Sequence, residues 1–247
     1  MSISEAFTSY YIDENNALHC TRAGEHQIKI ISYADAKRLR TLPDVLPERL
    51  NCLSINFAER VTKLPDELPA GLEYLRLVGT GVSVLPPLPA GLKVLGISGS
   101  KITELPDVLP DGLSDLGISM IKEIHHVNLP EHILSFVASG SGLEGNFDVR
   151  PSLIGLDLSY TKVDQLTGLE AASHMIRLDI SHTGITALPE SIRAISTLRY
   201  INVSFTGSSL LPELSVGLMQ LDVRGTKIPS EDIDALAAAR PELTIIR

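Results

Sequence analysis

The sequence predicts an α/β repeat solenoid in which each unit contributes one short parallel strand and returns through a mostly irregular, polyproline or 3-10 arc. Three observations predict it. A phrase of the form Leu-Pro followed by Leu-x-x-Leu-x-(Ile/Leu/Val) recurs about every 20 to 23 residues. The composition is 44% hydrophobic but only 4% aromatic, with no Trp, which suits a core of stacked aliphatic ladders. The junctions LPDELPAG, LPPLPAG and LPDVLPDG set Pro at fixed places, and Pro cannot donate to a strand ladder, so these segments belong to the return arcs.

In chain order, residues 1–27 read as an N-terminal cap, with a short hairpin expected from residues 17–21 and 27–31. The repeat array is expected over residues 28–242, about ten repeats. Taking the first Leu of a unit as position one, the units begin at Leu50, Leu72, Leu92, Leu113, Ile133, Leu153, Met175, Leu198 and Leu218. A degenerate first copy at Ile28 sets Ile28, Ile31, Tyr33 and Leu39 beside Leu50, Leu53, Ile55 and Val61. The alternation Leu-x-Leu is the period of a strand with one buried face, so positions one, four, six and eleven point inward. Each fully buried aliphatic side chain stabilises by about 1.5–3 kcal/mol, but only once neighbouring units cover it. After the strand comes a column of hydroxyls, Thr80, Ser100, Ser141, Thr161, Thr183, Thr206 and Thr226, expected to bond backbone groups of the neighbouring turn. Ile121 interrupts that column, and residues 113–152 are the least regular part of the array. Pro229-Ser-Glu-Asp opens a short helix near 230–239, and residues 243–247 form a capping strand.

Charge and motif content narrow the function. A formal net charge of −9 disfavours a nucleic-acid surface, and the one basic cluster, Lys37, Arg38 and Arg40, reads as a solvated face. Cys20 and Cys52 make no disulfide framework. No apolar run reaches the length of a membrane helix, and residues 1–30 lack a signal-peptide core. Gly140-Ser-Gly142-Leu-Glu-Gly145 matches a dinucleotide fingerprint by letter but opens no helix. Ser-x-x-Lys at Ser98, Ser119 and Ser159 falls at one repeat position, so the repeat itself generates it. His125, His126 and His132 lack metal-ligand spacing and should face solvent. No catalytic residue, metal or cofactor is expected, and the chain does not read as an enzyme.

The positions that the repeat leaves free face outward from the sheet. Position three gives Ile30, Cys52, Tyr74, Val94, Asp115, Ser135, Gly155, Arg177, Tyr200 and Gln220. Position five runs from Ser32 and Ser54 to Asp157, Asp179, Asn202 and Asp222, and position eight includes Phe57, Met120, Tyr160, His182 and Phe205 among glycines. Aromatics beside charge are the usual make-up of a binding hot spot. The candidate partner-binding residues are therefore Asp157, Tyr160, Arg177, Asp179, His182, Tyr200, Phe205 and Asp222, a mixture suited to a basic or Arg-bearing partner.

By its repeats the sequence resembles the leucine-rich-repeat proteins of bacteria, above all the repeat domains of type III secretion effectors of the YopM and IpaH groups. Residues 64–118 carry their Leu-Pro phrase, while LDLSYTKV at Leu156 and LDISHTGITALPESI at Leu178 look like the Leu-Asp-Leu-Ser-x-Thr form of other bacterial repeats and plant immune receptors. The resemblance implies a right-handed horseshoe with its parallel sheet on the concave face. It further implies a non-enzymatic protein-interaction module that binds a host or bacterial protein there. The chain would act in the bacterial cytoplasm or, as a secreted virulence effector, in the host cytosol. The IpaH ligase cysteine lies in a Cys-x-Asp setting; here the cysteines lie in Cys20-Thr-Arg and Cys52-Leu-Ser, so ligase activity is not carried over. The alternative is a substrate-recognition or regulatory subunit of a separate enzyme, such as a ubiquitin ligase. Oligomeric state is left open.

Overall fold

The computed structural model describes residues 10–20, 27–30 and 33–247. They fall into two compact units, the first ending at Glu123 and the second running from Ile124 to Arg247. Each is a stretch of leucine-rich-repeat solenoid built on short parallel strands, the fold class expected from the repeat.

In the first unit β1 (Tyr10–Ile12) pairs antiparallel with β2 (Leu18–Cys20). β3 (Gln27–Ile30), α1 (Tyr33–Arg38), β4 (Cys52–Ile55), β5 (Tyr74–Arg76), β6 (Val94–Gly96) and β7 (Asp115–Gly117) follow, and the five strands β3 to β7 pair parallel in order. In the second unit come β8 (Ser135–Val137), β9 (Glu144–Asp148), β10 (Gly155–Asp157), β11 (Lys162–Thr167), β12 (Arg177–Asp179), β13 (Tyr200–Asn202), β14 (Gln220–Asp222), α2 (Ser230–Ala239) and β15 (Thr244–Ile246). β8, β10, β12, β13, β14 and β15 pair parallel in that order. No helix among the described residues is long and apolar enough to cross a membrane.

The core is the aliphatic ladder. The central residue of every repeat strand from Leu53 to Leu221 is at most 2% exposed, and so is every position-six residue through Val203. Phe136 stacks on Phe147 at 5.5 Å inside the second unit. Each strand ends in one turn. Its position-eight residue takes a left-handed backbone in all nine units from Phe57 (φ 62°) to Gly225 (φ 64°). The next residue locks that turn: Thr80, Thr161, Thr183, Thr206 and Thr226 donate from the hydroxyl to the carbonyl three residues earlier, at 2.6–2.9 Å. The hydroxyl column thus bonds within its own turn rather than to the neighbouring one. Ile121 replaces the hydroxyl with a buried apolar side chain, and Ser141 leaves its hydroxyl buried without a partner.

Other expectations also differ from the structure. The first copy slips by three residues: Ile28 pairs with Leu53, not Leu50, so Gln27 and Lys29 take positions three and five where Ile30 and Ser32 were expected. Ser32 and Ile31 lie outside the described residues. Tyr33, expected inside beside Ile55, therefore stands 62% exposed on α1. The expected hairpin of residues 17–21 with 27–31 does not form. β2 turns back on β1, and β3 joins the repeat sheet instead. Two of the return arcs, expected to be mostly irregular, polyproline or 3-10, instead carry strands: β9 and β11 pair parallel. Both segments lack the Leu-Pro phrase, so every N–H is present to join a ladder. Other arcs of the second unit contain the 3-10 turns Leu169–Ala171 and Glu190–Ala194.

Candidate functional site on the second unit

Side chains two residues apart on a strand share a face, and paired strands lie about 4.8 Å apart. The register of β8, β10, β12, β13 and β14 therefore sets two rows of side chains on the open face of the sheet. The first row is Ser135, Gly155, Arg177, Tyr200 and Gln220; the second is Val137, Asp157, Asp179, Asn202 and Asp222. Ser135 and Gly155 are small, while Arg177 and Tyr200 stand tall beside them. Together the two rows line a groove of about 440 Å³.

The carboxylates of the second row are held by local bonds. Asp157 Oδ1 accepts from the Ser159 backbone N–H at 2.9 Å and from its hydroxyl at 2.6 Å. Asp179 Oδ1 accepts the same two bonds from Ser181, at 2.9 and 2.7 Å, and its Oδ2 accepts from Asn202 Nδ2 at 2.9 Å. This is an Asx turn closing each strand, with Asp-x-Ser as its signature. Asp222 uses Arg224 in place of the serine. Its carboxylate accepts from Arg224 Nε at 3.0 Å and Nη2 at 2.6 Å, and from the Arg224 backbone N–H at 3.2 Å. Burial pushes the Asp222 carboxyl up, but the Arg224 bonds outweigh it and hold the group below the usual carboxylate range. The same pairing raises Arg224.

Arg177 behaves differently. Its guanidinium lies over the Tyr200 ring, 4.5 Å from the centroid, and makes no ion pair among the described residues. The groove thus holds an unneutralised cation on its first row and, on the adjoining strand positions, the carboxylates of Asp157 and Asp179.

Beside the groove stands a stack of rings. Tyr160, His182 and Phe205 occupy position eight of three consecutive repeats. Tyr160 and His182 stack at 4.0 Å with 13° between planes, and His182 and Phe205 at 4.5 Å with 17°. The repeat spacing produces this stacking, since side chains projecting from the same position of successive units are held about one strand separation apart. Tyr160 remains 59% exposed and Phe205 51%. All three have φ of 54–56°, a conformation that costs an L-residue about 1–2 kcal/mol and a glycine almost nothing. Gly140 and Gly225 take the same turn on either side of the stack.

The eight residues expected from the sequence therefore fall into two groups. Asp157, Arg177, Asp179, Tyr200 and Asp222 line the groove, whereas Tyr160, His182 and Phe205 form the stack and do not line it. Asp222 is only 4% exposed, covered by Arg224, so it meets solvent far less than its column suggested. Sequence reasoning passed over Ser159, Ser181 and Arg224, which position the carboxylates, and Asn202 as a partner of Asp179. The i, i+2 offset of Asp-x-Ser, repeated as Asp222-x-Arg224, was the available signal. It also passed over the left-handed column, which the glycines at 79, 99, 140 and 225 marked.

The remaining motifs are occupied by the scaffold. Ser159 is buried, and its hydroxyl contacts Asp157 and Ser139. Ser98 Oγ accepts from the Ser119 backbone N–H at 3.0 Å. Cys52, expected on the exposed face, is buried at 7%; its short side chain sits between the longer residues Gln27 and Tyr74 with which it pairs in register. His125 and His126 are exposed, with His125 Nδ1 3.7 Å from Glu144 Oε1. Among the described residues no group of three His, Cys, Asp or Glu side chains is placed to hold a metal ion.

Solved structures with the same fold come from several bacteria. A leucine-rich-repeat protein of Leptospira interrogans superposes with a TM-score of 0.61 at 18% identity, over 90% of this chain and 70% of its own. The leucine-rich effector YopM of Yersinia pestis gives 0.62 at 22% identity, over 85% of this chain and 61% of its own. The functional domain of the Listeria monocytogenes protein InlJ gives 0.64 at 16% identity, over 91% and 53%. At these identities the likeness is one of fold. No family model matches the chain, and no curated protein does.

Proposed function

We propose that this chain is a non-enzymatic protein-binding module of bacterial origin, whose partner docks on the open sheet face of the second unit. The observation that carries the proposal is the stack of Tyr160, His182 and Phe205. Two exposed rings, Tyr160 and Phe205, with the half-buried His182 stacked between them, occupy a left-handed turn that glycine fills without strain at four other repeats. Conformational strain kept at a surface, where it does nothing for the core, is the mark of a site maintained for contact. Rigid aromatics lose little entropy on binding, and the Asp157 and Asp179 carboxylates beside them are already fixed by the Asx turns. On this reading the chain works in the bacterial cytoplasm or, after secretion as an effector, in the host cytosol. The effector reading is supported by the Leu-Pro phrase of residues 64–118 and by the likeness to YopM.

The test uses the glycine preference of the turn. Tyr160→Gly and Phe205→Gly remove the rings while giving the backbone the residue it favours, so lost binding cannot be ascribed to misfolding. Proteins captured by the wild-type chain from bacterial and host-cell lysates are compared with those captured by the double variant. Val216→Ser, at a 90% exposed position on a return arc, is the control. The expected result is a partner retained by wild type and by V216S and weakened at least about tenfold, some 1.4 kcal/mol, in the double variant. Partners held equally by all three proteins would remove the ring stack as the docking site.

A further inference from the structure

The groove has a polarity that specifies more than a generic protein contact. Arg177 and Asp179 lie two residues apart on β12, project from the same face and line the same groove. They could have neutralised each other. Instead each is held by a different neighbour: Arg177 over the Tyr200 ring, and Asp179 by Ser181 and Asn202. Asp157 is paired in register with Asp179 on the adjoining strand, so the two residues project from strands about 4.8 Å apart, near enough for one guanidinium or ammonium to meet both carboxylates. Asp222 is already matched by Arg224 and contributes little net charge. The free charge of the groove is thus one cation and a pair of anions, carried at strand positions whose backbones lie about 6.6–7 Å apart along the strand direction.

An extended segment places alternate side chains on one face with that same spacing. We infer that the groove recognises an extended segment of a partner protein carrying an acidic and a basic side chain two residues apart, the acid over Arg177 and the base between Asp157 and Asp179. This rests on the protein-binding reading above and adds the chemistry of the partner. Adjacent charges on the segment point to opposite faces and do not fit. A segment with two bases meets Arg177, and one with two acids meets Asp157 and Asp179; like charges brought together in this way reject wrong partners. The Gly155 gap and the small Ser135 leave room for the segment's backbone to approach the sheet face beside Arg177.

The experiment is selection of a phage-displayed library of random peptides, each about twelve residues long and so able to cross the groove when extended, on the full chain. Wild type is expected to enrich acid-x-base (or base-x-acid, for the opposite chain direction) about tenfold over the input library. Arg177→Glu replaces the cation with an anion at an exposed position and is expected to shift the enriched pattern to base-x-base. Lys122→Glu makes the same charge change at an exposed site in the first unit and should leave the wild-type pattern unchanged. Patterns indifferent to R177E overturn the inference while leaving the protein-binding proposal standing. Enrichment of charge-free or adjacent-charge peptides overturns it too, and so does the absence of any enriched pattern. Loss of captured proteins on removing the rings, with no charge pattern selected, would support the broader reading and reject this one.

Discussion

Adding one methyl group at Gly99 and one at Gly225 separates two costs that the left-handed turn combines. Both glycines sit at position eight, with φ of 66° and 64°. At Gly99 the new Cβ would meet only the backbone of Gly79, at 3.8 Å, which is ordinary contact. Gly99→Ala therefore carries the conformational penalty of about 1–2 kcal/mol, offset by about 0.4–1 kcal/mol from the stiffer unfolded chain, for a net loss near 1 kcal/mol. At Gly225 the new Cβ would lie 2.5 Å from Phe205 Cδ1 and 2.8 Å from Cε1. The ring must move, and overpacking of this kind costs about 1–3 kcal/mol; a half-exposed ring can swing outward, so the low end applies and the total is near 2 kcal/mol. For a chain of this size 1 kcal/mol shifts Tm by about 2–4 °C, giving a drop of about 3 °C for G99A and about 6 °C for G225A. Far-UV circular dichroism melts on both variants, repeated in a Phe205→Ala background, complete a double-mutant cycle. With the ring gone, the excess cost of G225A should vanish and match G99A. Equal costs in the wild-type background, or an excess that survives F205A, would refute the account of a ring laid over a glycine that the turn requires.

Other consequences can be measured on the same footing. Ser141→Ala removes a buried hydroxyl without a partner and should raise stability by about 1 kcal/mol, whereas Thr161→Val strips the Leu158 carbonyl of its 2.6 Å donor and should cost about the same; urea midpoints moving the same way for both would contradict this. Leu95→Ala, at a fully buried position of β6, should cost about 2–5 kcal/mol in urea unfolding, and a loss below 1 would mean that the ladder collapses around the cavity. Arg224→Ala releases the Asp222 carboxyl from the partner that holds its pKa down. Because the folded value is depressed, the stabilisation is present above the unfolded value near pH 4 and lost as pH falls through the folded one. The Tm gap between wild type and R224A should thus be full at pH 7 and narrow below about pH 4, and a gap constant down to pH 2 would exclude the coupling.

Particular residues show how far the sequence could be read. The aliphatic positions from Leu50 to Leu221 were assigned from alternation and Leu-Pro punctuation alone, because a strand of period two leaves one choice of buried face once its ends are marked. Where the punctuation is missing, alternation alone leaves the register ambiguous. The run Gln27-Ile-Lys-Ile-Ile offers isoleucines at both spacings, and nothing local says which pair turns inward, so the sequence is equally compatible with Ile28 beside Leu50 and with the observed pairing of Ile28 with Leu53. The pairing of β9 with β11 was illegible for a related reason: each segment alone is a plausible arc, and only the two together make a ladder.

The candidate site divides along the same line. Column membership was visible, since residues about 20 positions apart become neighbours whenever the period holds. What a side chain does within its column was not, because that depends on the sign of φ and on partners two residues away. Asp222 and Asp157 look equivalent in sequence, yet Arg224 buries one and Ser159 leaves the other half-open. Tyr160 and Gly140 share one turn, and the scaffold is equally well formed with either. A solenoid repeats its solution to the folding problem, so five non-glycine residues in this column, Phe57, Met120, Tyr160, His182 and Phe205, each carry a backbone cost that glycine avoids. Among the nine left-handed turns, the three consecutive departures that stack on one another are Tyr160, His182 and Phe205, immediately beside the groove where Arg177 stands without an ion pair among the described residues. Strain and an unmatched charge are independent departures with different physical costs, and the proposed partner-binding reading rests on both occurring in the second unit.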